Sequence, residues 1–174
     1  MTEAILHAQF EQRSKAPLFK DCFEIYRGEF LDNFCELELA VGRWLNLVQL
    51  KTAKNAAFEA KLESLASSEQ VPAKAGKKQA LHIKRLPLEC ANLMSLRNAL
   101  VHHRRLFGTR EDVECVLLQN IEDALNDFPR YIVITGDEIS TAAQEVGKLA
   151  KRLNSWLNQA SSPQPPSQAA TADP

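Results

Sequence analysis

The sequence predicts a mainly α protein: an antiparallel bundle of about four main helices, with a small β-hairpin before the last one. Two long apolar rhythms of helical period and one short β-branched stretch between them lead to that fold. Residues 1–16 carry weak periodicity and are expected to form a loose N-terminal arm. Pro17 then opens the strongest pattern, from about Leu18 to Leu50. Phe19, Phe23, Tyr26, Phe30, Phe34, Leu37, Val41, Trp44, Leu45 and Val48 recur there three or four residues apart, which gives a helix one wide apolar face. Residues 51–66 read as helix continuing, or restarting after a bend. Ser67 to Gln79 (SSEQVPAKAGKKQ) has no apolar rhythm and reads as a loop.

A further helix is expected from about Ala80 to Arg105, kinked or restarted at Pro87 and stopped by Gly108. VECVLL at 113–118 and RYIVIT at 130–135 suit two antiparallel strands joined by the acidic stretch NIEDALNDF. Helix over 112–127 is the rival reading. Thr135 or Asp137 can cap the last helix, from about Glu138 to Asn158, with Ile139, Ala142, Val146, Leu149, Leu153 and Trp156 on its apolar face. These elements make one domain over 17–159. Residues 160–174 are Pro, Ser, Gln and Ala, and are expected to stay disordered.

Composition narrows the function. Lys and Arg number 21 against 22 acids, so an overall basic coat is excluded. The start of the chain lacks the pattern of a secretory signal, and no apolar run is long enough to span a membrane. Phosphate-binding glycine loops are absent, and no nucleotide cofactor is expected. Cys22, Cys35, Cys90 and Cys115 are far apart, without Cys or His at ligand spacing. They read as buried free thiols in a cytoplasmic protein, with no metal site. His82 reads as solvated, Glu36 and Glu38 as a wet helix face, and the large aromatics as core or a dimer seam.

One segment differs. Ser95 to Arg105, SLRNALVHHRR, places Asn98 and His102 four residues apart on one helix face. Arg97 lies about 140° round the helix from His102, so the two converge more readily between two copies of the helix than within one. The wider stretch 77–110 is basic, with Lys77, Lys78, Lys84, Arg85, Arg97, Arg104, Arg105 and Arg110 against Glu89 alone. Six acids and no Lys or Arg follow in 111–128. A basic strip draws phosphates, a histidine moves protons near neutral pH, and an arginine steadies an anionic transition state. Together they suit metal-free cleavage of a phosphodiester. Lys84, Arg85, His103, Arg104 and Arg105 are the candidate RNA contacts, and Glu38 is a candidate orienter reaching from the first helix.

The string RNALVH at 97–102 resembles the Arg-x4–6-His motif of HEPN domains. A long aromatic-rich first helix followed by a later helix ending near this string is similar in context. The resemblance implies an all-α bundle that dimerises. It also implies a metal-independent endoribonuclease of a toxin–antitoxin, abortive-infection or related defence setting. Arg97 and His102 would be the catalytic pair and Asn98 their polar neighbour, in a cleft shared by two protomers where the RNA 2′-hydroxyl attacks. The implied partners are a second copy, RNA, and an antitoxin or regulatory protein. A helical adaptor without catalysis, binding a protein partner or a nucleotide through the same polar helix, is the alternative.

Overall fold

The computed structural model describes residues 17–51, 56–120 and 131–162. The predicted arm (1–16), most of the acidic stretch between the predicted strands and nearly all of the predicted tail lie outside them. In chain order the elements are α1 (Pro17–Leu47), α2 (Phe58–Ala66), α3 (Val71–Ala75), α4 (Lys77–His102), β1 (Arg104–Arg110), β2 (Val113–Gln119), β3 (Tyr131–Thr135) and α5 (Gly136–Ser161). The protein is mainly helical, as its periodicity implies, and its strands form one small antiparallel sheet.

α1 supplies the floor of the core. Phe23, Phe30, Phe34, Leu37, Val41, Trp44 and Val48 are all buried. They meet Ile139, Ala143, Val146, Ala150 and Leu153 of α5, the most extensive helix pair in the molecule. Two side-chain bonds tie the pair together: Asn33 Nδ2 donates to the Ala143 carbonyl at 3.0 Å, and the Trp44 indole N–H donates to that of Leu153 at 3.0 Å. Gly147 permits this approach, since a Cβ there would stand 3.1 Å from the Asn33 amide. The order of these contacts shows that α1 and α5 run in the same direction, as the first and third members of an up-down-up arrangement do. α4 carries the chain back to the end where α1 starts, and the sheet, packed there, links it to α5.

α4 runs opposite to both. Its Glu89 carboxylate accepts from Arg152 at 2.6 Å, and Gln79 donates to Gln159 at 2.9 Å. The helix is continuous through Pro87, so the chain does not restart there. A proline removes a single helical donor, and Ile83, Leu86 and Cys90 are buried on either side of it.

Several boundaries correct the sequence reading. The stretch 67–79 is not a plain loop: it contains α3 and the first turn of α4. Gly76, at φ +78°, turns the corner between them, where a side chain would be strained. α1 ends in a Schellman motif. Gln49 takes φ +56°, Leu50 N–H donates to the Leu45 carbonyl at 2.9 Å, and Gln49 N–H to that of Asn46 at 3.1 Å. α4 ends at His102, and residues expected to finish it enter β1 instead. The hairpin is therefore a three-stranded sheet in the order β1-β2-β3. Glu111 and Asp112, both at positive φ, form the two-residue turn between β1 and β2. One sheet face carries Phe107, Val116 and Ile134 in register. Phe107 meets the Phe19 and Phe23 rings edge-on, at 6.3 and 5.8 Å. Thr135 caps α5 through a capping box with Glu138.

The cysteines divide. Cys90 and Cys115 are buried, Cys22 is partly covered, and Cys35 is exposed, contrary to expectation. Cys35 falls on the polar side of α1, at a position the apolar stripe does not include. His82 is partly covered too, with its ring 5.7 Å from that of Trp156.

Candidate functional site

The candidate residues occupy the last two turns of α4, and what lies beneath them is fixed. A helix leaves its final carbonyls without helical partners. The Leu100 carbonyl accepts from Arg27 Nε of α1 at 3.3 Å. Glu24, one turn earlier on α1, takes Arg27 at 3.3 Å and Arg105 at 2.8 and 2.9 Å on its two carboxylate oxygens. One carboxylate thus pins both the end of α4 and the start of β1. His103 makes the bend at φ −90° and ψ 149°, and its N–H still donates to the Ala99 carbonyl at 2.9 Å. The His103 Nδ1 atom is buried and makes no hydrogen bond.

His102 stands on this anchored corner, exposed. Asn98, one turn earlier, is exposed too, and its Oδ1 accepts from Arg97 Nη1 at 3.1 Å. The arginine is therefore turned toward Asn98 and away from the far side of the helix. Both residues line an open groove of about 510 Å³ between α1, α2 and α4, which His102 does not line. Arg97 and His102 are not brought together within one chain, as their angular spacing requires.

Phe34, Phe58 and Met94 make the apolar part of the groove, and Glu38 and Glu59 add carboxylates. Glu38 forms no ion pair with Arg97, although the two share the groove. Sequence reading did not find Phe58, Met94 or Glu59. The groove exists because α2 folds back over α4, and neither helix announces that locally.

The basic strip is dispersed. Lys84 and Arg85 are exposed, but Lys84 sits eighteen residues before His102 on the same helix, about 27 Å along its axis. Arg104 is exposed beside the site, whereas Arg105 is committed to Glu24. Among the described residues no three His, Cys, Asp or Glu side chains are grouped to hold a metal ion, and no helix is long and apolar enough to cross a membrane.

A second feature of α4 bears on the site. Leu81, Lys84, Leu88, Ala91, Ser95, Asn98 and His102 are all exposed and follow one another at intervals of three and four residues. That is a single stripe with the spacing of a helix-pairing seam. Leu88 is 82% exposed and Leu81 53%, a high exposure for leucines on a packed helix. No protein-family model, curated protein or solved structure matches this chain.

Proposed function

We propose that the protein is a HEPN-like, metal-independent endoribonuclease whose active site is completed by a second copy of the chain. The observation that carries the reading is the α4 stripe. It runs from exposed leucines through the small residues Ala91 and Ser95 to Asn98 and His102, with Arg97 drawn onto Asn98. Small residues let two helices approach closely, and the leucines supply apolar area to bury there. Two copies crossing near Asn98 bring Arg97 of one chain toward His102 of its partner, which a single helix cannot do.

In that cleft the RNA 2′-hydroxyl attacks the adjacent phosphorus, and the 5′-oxygen leaves. His102 handles the proton, by accepting it from the 2′-hydroxyl or by delivering one to the leaving oxygen. Arg97 neutralises charge building on the phosphoryl oxygens, and Asn98 orients the guanidinium. Arg104 holds flanking phosphate. The products are a 2′,3′-cyclic phosphate and a free 5′-hydroxyl.

The test is cleavage of single-stranded RNA in excess chelator. Wild-type protein yields cyclic-phosphate ends, and His102→Ala and Arg97→Ala each lower the rate by about a hundredfold or more. RNA that stays intact with the wild-type dimer contradicts the reading. The exposed leucines also favour a second reading, a non-catalytic adaptor whose α4 face binds a protein partner. Intact RNA with a well-formed dimer leads there.

A further inference from the structure

The groove, whose α4 wall shares Ala91, Ser95 and Asn98 with the stripe, combines features that the cleavage chemistry does not use. Its floor is the buried Phe34 ring, with Phe58 edge-on to it at 5.2 Å and Met94 alongside. Glu59 is exposed at its mouth and Glu38 is partly covered. Neither carboxylate forms a hydrogen bond or ion pair with another described residue. Two unpaired carboxylates against the single guanidinium of Arg97 repel a phosphate from the interior. They accept hydrogen bonds readily, and an aromatic and thioether surface suits a flat ring. A volume of about 510 Å³ accommodates a ring of nucleobase size.

We infer that this groove receives one unstacked nucleobase bearing an exocyclic amino group, held flat on Phe58 and Met94 with its amine donating to Glu38 or Glu59. The inference deepens the RNA reading and rests on it, because Arg97 links the groove to the scissile phosphate. Adenine, cytosine and guanine carry such an amine, and adenine and cytosine carry it at the position where uracil's O4 or its counterpart lies. Uracil presents a carbonyl oxygen there, which faces a carboxylate unfavourably. The site therefore discriminates by donor pattern rather than by charge. A free nucleoside carries the same chemistry as a base in an RNA strand, so both serve as probes.

Saturation-transfer NMR of the full chain with adenosine, cytidine and uridine tests the groove by itself. Adenosine and cytidine bind, and uridine binds about fivefold more weakly or less. Glu38→Gln with Glu59→Gln brings the three within about twofold, because a glutamine amide can also donate to the uracil oxygen. Phe58→Ala weakens all three by about tenfold, with an unchanged far-ultraviolet dichroism spectrum. Equal binding of uridine and adenosine, or a preference that survives the double substitution, overturns the inference. Anisotropy with 2′-O-methyl heptamers of A and U, which cannot be cleaved, separates the two levels. RNA that is cleaved and bound without base preference sinks the groove assignment alone. A nucleoside preference with no RNA binding or cleavage sinks the RNA reading and leaves a free-nucleoside site.

Discussion

At the scale of single residues, burial decides which groups can react. Burial pushes the Cys90 thiol up from 9.0 to about 11, with Glu89 adding to the effect and Arg152 opposing it. Cys115 is raised as well, again chiefly by burial. The folded protein thus holds these protons more tightly than the unfolded chain. Stability from Cys90 is complete below about pH 9 and is lost as pH rises toward 11, by about 2 kcal/mol. Urea midpoints at pH 8 and pH 10.5 check this against Cys90→Ala: the gap between the two proteins narrows at the higher pH. A constant gap refutes it. At pH 8 a thiol reagent modifies Cys35 first, with Cys90 and Cys115 protected until unfolding. His102 differs from these groups by standing in water on a corner that Glu24, Arg27 and Arg105 fix from below.

Each element shows how far local pattern reaches. α1 and α5 were readable because buried Phe23, Phe30, Phe34 and Leu37, or Ile139, Val146 and Leu153, keep helical spacing over many turns. Thr135 was one of two readable caps, with Asp137, and its capping box with Glu138 decides between them. By contrast, RRLFGTR offers two large apolar residues among cations, and its turn is Glu-Asp instead of Asn-Gly. β1 therefore went unseen, and its strand character comes from pairing with β2. The end of α1 was readable only to within a turn, since Gln49 is an unusual residue for a left-handed stop. That yields a prediction: Gln49→Gly relieves the positive φ and raises stability by about 0.5–1 kcal/mol in urea unfolding. A loss of stability contradicts the assigned motif. At the site, Asn98 and His102 were legible as one face of a helix. The groove was not, because Phe58 and Met94 meet through tertiary packing of α2 on α4.

For the molecule as a whole, the proposed cleavage depends on a contact that a single chain does not contain. The α4 stripe is uncovered in one copy, and the proposed dimer would bury its leucines. Leu88→Asp places a charge in that seam without touching the core. It converts a dimer to a monomer in sedimentation velocity while leaving helix content unchanged; a monomeric wild type, or a variant that still dimerises, contradicts the seam. Cleavage falls together with dimer content, since Arg97 and His102 lie about 140° apart on one helix. The most direct measurement mixes two inactive proteins, Arg97→Ala and His102→Ala, under conditions of subunit exchange. A shared site predicts that the mixture regains about a quarter of wild-type cleavage, because half the dimers are mixed and each of those holds one intact site of two. A mixture as inactive as its components, beside an active wild type, shows that the site is not built from two chains.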